Sequence, residues 1–138
     1  MRAILIALAL GFGALRAEAQ LPALADAAER ARAAWLGHDV SGLLAESPKL
    51  LMQLPGTDPS VALGPEQAAA MLVDFLSQAS EVETVVRAAR EVEPGRGYVE
   101  LERKYRIQGT QEVRIQSLLL GYRQTRSGWV LVELRVVS

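Results

Sequence analysis

The stretch YVELERKYRI, residues 98–107, alternates between two faces with the period of a β-strand. Val99, Leu101, Tyr105 and Ile107 share one face, and Glu100, Glu102, Lys104 and Arg106 share the other. Arg103 stands among the apolar set, where a packed strand would carry a hydrophobe. An arginine keeps its charge in a protein, so on a core-facing position it needs either an anion or a route to water.

The alternation extends in both directions. Four runs, 82–92, 97–107, 112–124 and 129–137, are separated by the turn signals EPGRG, QGTQ and RSG. Short polar connections with glycine imply hairpins, so the spacing predicts an antiparallel four-strand meander, with Gly121 marking a bulge or kink. Strict alternation places Val113, Ile115 and Leu119 on the core face of the third run, and Val130, Val132, Leu134 and Val136 on that of the fourth. In the first run Val82, Thr84, Val86, Ala88 and Arg90 are expected to point inward. Leu118, Leu120, Tyr122, Trp129 and Leu131 then form an apolar patch on the outer face: either a contact with a second subunit, or ground covered by a loop or helix end.

Upstream, LPALADAAERARAAW (21–35) puts Leu24, Ala27, Ala28, Ala31, Ala34 and Trp35 on one stripe at helical spacing. HDVSGLLAES (38–47) has room for one helical turn, and PKLLMQLPG (48–56) reads as a short extended segment. A further helix begins near Pro65, with Ala68, Met71, Leu72, Phe75, Leu76 and Ala79 on its buried stripe. The sheet needs a cover, and these stripes supply it.

Before the first helix, Arg2, the apolar run AILIALALGFGAL and then RAEAQ follow the order of a secretory signal, with Ala17 and Ala19 where a signal peptidase reads. Residues 1–19 are expected to be removed, leaving residues 20–138 as a single α+β domain; an uncleaved anchor is the alternative. The predicted location is secreted or periplasmic. The mature chain would carry 13 basic and 15 acidic residues, which argues against nucleic acid as a partner. Without cysteine there is no disulfide framework and no lipid-modified cysteine, so no membrane association is expected after cleavage.

This order of elements, helices and a short strand followed by a long bent meander, resembles the nuclear transport factor 2-like superfamily, the cone-shaped, cystatin-like α+β group that includes SnoaL-like and ketosteroid isomerase-like proteins. The resemblance is carried by AWLGHDVSGLLAES (34–47) and GYRQTRSGWVLVELRVV (121–137), and it extends to small exported bacterial domains of unassigned function. It implies helices on the concave side of the sheet over a conical pocket. Some members of the group use that pocket for catalysis, some bind ligands there and many fill it with side chains.

The isomerase-like members use a carboxylate base with hydrogen-bond donors, often tyrosine. Here alternation puts Tyr105 alone on the pocket face and supplies no facing carboxylate, so that match fails. His38 with Asp39 could move a proton, or His38 could simply close a helix. One histidine and no cysteine predict no transition-metal site, and no cofactor motif is present. Arg103, with Arg90 and Ser117 beside it, would suit the carboxylate or phosphate of a small anionic ligand, with Tyr105, Trp35 and His38 completing the lining. The competing reading places both arginines at a solvated rim, or neutralised by Asp39, Asp74 or Glu46. The function expected is an exported, non-catalytic domain that binds a small molecule or a protein, with a second copy or an envelope protein as partner. The alternative is a small-pocket enzyme acting on an anionic molecule.

Overall fold

The computed structural model describes residues 23–138; the signal segment expected over residues 1–19 lies outside them. Among the described residues three helices, α1 (Leu24–Leu36), α2 (Val40–Leu43) and α3 (Pro65–Leu76), accompany five strands: β1 (Leu51–Gln53), β2 (Ala79–Glu93), β3 (Arg96–Ile107), β4 (Val113–Thr125) and β5 (Gly128–Val137). The strands form one open sheet in the order β1-β5-β4-β3-β2. Strands β2 to β5 are the antiparallel meander, and β1 adds a parallel edge to β5, which makes the sheet mixed. No described helix is long and apolar enough to cross a membrane.

Helix α1 buries the stripe its spacing predicts, from Leu24 to Trp35. Its start lies so close over β3 that a Cβ on Gly97 would fall 2.6 Å from a Leu24 methyl, so any larger residue there would have to displace that side chain. Helix α3 buries Ala68, Leu72 and Leu76, with Phe75 half covered, while Met71 on the expected stripe is exposed. On β3, Val99, Leu101 and Arg103 face the helices and are buried, as the alternation requires.

On the neighbouring strands the inward set differs from strict alternation, for identifiable reasons. The pairs Arg103↔Gln116, Leu101↔Leu118 and Val99↔Leu120 put the even-numbered residues of β4 inside. Four residues connect Ile107 to Glu112, whose backbones are hydrogen-bonded, so residues of opposite parity face each other across this hairpin. Val113 and Ile115 therefore lie on the outer face, 45% and 54% exposed. The proposed interface is corrected accordingly: Leu118, Leu120, Tyr122, Trp129 and Leu131 are core residues of the monomer, not an outer patch. A register shift after Gly121, the bulge expected there, brings Trp129 and Leu131 inward at the turn end of β5 in place of Val132; Val130 is buried too but lies outside the main cluster, while Leu134 and Val136 remain inside.

Strand β2 carries bulges between Glu81 and Glu83 and between Val86 and Ala88. Each extra residue reverses the facing of the rest of the strand. The first leaves Glu81 and Thr84 both inward; the second turns Arg90, the Cα partner of Tyr98, to the outer face, where it is exposed.

Candidate functional site

The bulge at Val82 and the inward register of β3 bring two charges together inside the cone. The Arg103 guanidinium forms a two-pronged pair with the Glu81 carboxylate: Nε donates to Oε1 at 3.1 Å and Nη2 donates to Oε2. Their side chains are 1% and 2% exposed. Rather than ending at a solvated rim, Arg103 is enclosed. Its anion is Glu81, whereas Asp39 caps α2 by accepting from the Gly42 amide at 3.0 Å and Glu46 accepts from Ser127 Oγ at 3.1 Å.

The remaining acceptor and donor capacity of the pair is taken up by the elements around it. Trp35, at the end of α1, donates its indole N–H to Glu81 Oε1 at 3.2 Å, and His38 Nε2 lies 3.1 Å from Oε2. The carboxylate thus makes four polar contacts with three residues, enough to offset loss of water. Arg103 Nη1 donates to Gln116 Oε1 at 3.0 Å, and Gln116 passes its own amide hydrogen to Ser138 Oγ at 3.2 Å. Aromatic rings surround the guanidinium: its carbon lies 4.0 Å from the Tyr105 ring centroid, 5.2 Å from Trp35 and 5.5 Å from Phe75. A desolvated cation gains from such faces.

Of the six residues expected to line a ligand site, Arg103, Tyr105, Trp35 and His38 do converge. Arg90 is on the outer face, and Ser117, opposite Glu102, also faces outward; Gln116 holds the place expected for it. Glu81 was missed because alternation from Val82 onward hides it, and a bulge carries no reliable sequence signal. Among the cavities found between described residues, none is lined by Arg103 or Glu81.

Of the residues that contact the Glu81 carboxylate, His38 is the one that reaches solvent, its side chain being 31% exposed whereas Trp35 and Arg103 are buried. It borders a groove of about 230 Å3 with Val40, Val73, Leu76 and Ser77. Its backbone is held at φ +54°, a region usually left to glycine. The reason is the end of α1: the amide of Asp39 bonds to Ala34 O and that of His38 to Trp35 O, a double closure that needs a left-handed residue at position 38. Gly37, the residue the sequence suggests for that role, stays at φ −91°. The left-handed turn aims the imidazole back at Glu81.

No family model matches the chain, and no curated protein matches its sequence. Solved structures do match its fold. A ketosteroid isomerase-like protein from Erwinia carotovora atroseptica is 13% identical, with a TM-score of 0.67 over 82% of this chain and 91% of that one. A conserved protein from Planctomyces limnophilus is 20% identical (TM-score 0.61, 83% and 94% covered). An epoxide hydrolase described as LEH-like, from M. tuberculosis, is 12% identical (TM-score 0.58, 80% and 78% covered). At these identities the likeness speaks to the fold alone, and that fold hosts enzymes and binding proteins alike. With its helices roofing a bent, open sheet, the chain has the nuclear transport factor 2-like fold.

Proposed function

We propose that this chain is a non-catalytic binding domain that acts outside the cytoplasm. The observation that carries the reading is the pair inside the cone: among the described residues Glu81 and Arg103 satisfy each other there and are 2% and 1% exposed, so the charge that would hold an anionic substrate is already matched. Such a pair stabilises one arrangement of α1, α3 and the sheet and offers nothing to a small molecule. Binding then falls to surfaces and grooves outside the cone. A thermal-shift screen of small metabolites tests this, run on the wild type and on a Glu81→Leu/Arg103→Met double variant. Compounds that stabilise the protein are expected to stabilise both equally; a compound lost only in the double variant would place the site in the cone and end this reading. Export is tested by expressing the full gene in a bacterium and sequencing the N-terminus of the periplasmic product. Gln20 is the expected first residue, and retention of Met1 would contradict it.

The enzymatic alternative draws on His38, which reaches solvent on one side and the Glu81 carboxylate on the other. In that reading His38 moves a proton to or from an anionic substrate in the adjoining groove, with Glu81 orienting the imidazole. It predicts turnover abolished by His38→Gln. A second copy of the chain remains the partner suggested for the outer sheet face, now through Val113 and Ile115, and Ile115→Glu should convert any dimer to monomer.

A further inference from the structure

Away from the cone, α1, α2 and the β4–β5 turn enclose a groove of about 280 Å3. Its apolar wall includes Leu43, Trp129 and Leu131, and its polar side chains are Arg30, Glu46, Tyr122 and Ser127. Tyr122 is 6% exposed, and its hydroxyl has no hydrogen-bond partner among the described residues. Tyr122 nevertheless lines the groove. Arg30 lines the same groove as Tyr122, and burial pushes the phenol up while the Arg30 charge works against that. Arg30 is exposed and in no ion pair among the described residues. The Trp129 indole N–H likewise has no partner among them. Glu46, by contrast, is committed to Ser127 Oγ and anchored by a left-handed backbone at φ +59°.

The uncommitted polar groups are therefore donors and a cation, set beside an apolar wall. We infer that this groove binds a small carboxylate with a flat apolar body, its oxygens between the Arg30 guanidinium and the Tyr122 hydroxyl and its body against Trp129 and Leu131. Arginine and a phenol O–H are a matched donor set for a carboxylate. The groove is short for a peptide or a long acyl chain, so a single ring or a branched chain is the body that fits. The inference rests on the reading of the chain as a binding domain, but the two fail separately: turnover or ligand loss traced to Glu81 and Arg103 would overturn that reading without touching this groove.

The test is a titration of 15N-labelled protein with sodium benzoate, followed by NMR at the two indole N–H signals. Trp129 is expected to shift with a Kd of about 0.1–1 mM while Trp35, hydrogen-bonded inside the cone, stays in place. Benzamide, benzylamine and sodium sulfate are expected to bind at least about tenfold more weakly, each lacking the charge or the ring. Arg30→Gln, at an exposed position, should weaken benzoate by about tenfold, and Tyr122→Phe by a few fold. No movement of Trp129 at saturating benzoate, equal binding of benzamide, benzylamine or sulfate, or an unchanged affinity in Arg30→Gln would overturn the inference.

Discussion

Replacing one partner of the Glu81–Arg103 pair is the perturbation with the clearest expected magnitude. In Arg103→Met, the Glu81 carboxylate, 2% exposed in the wild type, loses two of its four polar contacts and keeps those with Trp35 and His38. In Glu81→Leu, the guanidinium keeps Gln116 and the aromatic faces but has no anion. Stranding either charge in the interior should cost about 3–5 kcal/mol. For a domain of this length that is roughly 10–20 °C in Tm, a large share of a total stability of about 5–15 kcal/mol. The double variant Glu81→Leu/Arg103→Met removes both charges and retains volume, so it should lie within about 1–2 kcal/mol of the wild type. Urea unfolding of the four proteins completes a double-mutant cycle, with an expected coupling of at least about 2 kcal/mol. Single variants costing less than about 1 kcal/mol, or a double variant no better than the worse single, would refute the enclosure of the pair.

Three further perturbations probe the surroundings. His38→Gly and His38→Ala both remove the contact with Glu81, but only glycine relaxes the backbone at φ +54°; the glycine variant should be the more stable by about 1 kcal/mol in urea unfolding, and equal midpoints would contradict the closure drawn for α1. Thr84, opposite Arg103, is buried with a hydroxyl that has no partner among the described residues, so Thr84→Val should be neutral or stabilising by up to about 1 kcal/mol; a clear loss would mean that the hydroxyl is engaged. Burial raises the Tyr122 phenol, which favours its neutral form in the fold; its contribution is intact below the free phenol value of about 10 and declines as pH rises above it. The fall in stability between pH 9 and 11 should be shallower in Tyr122→Phe, and parallel curves would contradict burial of the phenol side chain.

The helices were legible because α1 obeys one period throughout and its stripe has a single possible cover. Strand β3 was equally plain, Val99 and Leu101 lying beneath the helices. Strand β4 misled because Val113 and Ile115, its most strand-like hydrophobes, occupy the exposed outer face beyond that cover, while three consecutive leucines leave parity ambiguous further on. The four-residue connection QGTQ held the correct answer, since loop length fixes which residues oppose each other. The site was half legible. Arg103 announced itself as an arginine on an apolar face, and Trp35 as the one large anchor of α1. Glu81 could not be placed, because its inward facing depends on a bulge whose extra residue, Val82, looks like an ordinary strand residue. Arg90 was misplaced for the same reason one bulge later.

The central claim, that the cone is closed by a shielded guanidinium rather than open to ligand, is tested most directly by hydrogen exchange at the Arg103 Nε–H. That hydrogen points at Glu81 Oε1 and is shut away from water. In 15N-resolved NMR near neutral pH, the account predicts a persistent signal exchanging at least about a hundredfold more slowly than those of surface arginines such as Arg30. Exchange at the surface rate would show water at the guanidinium and an open cone.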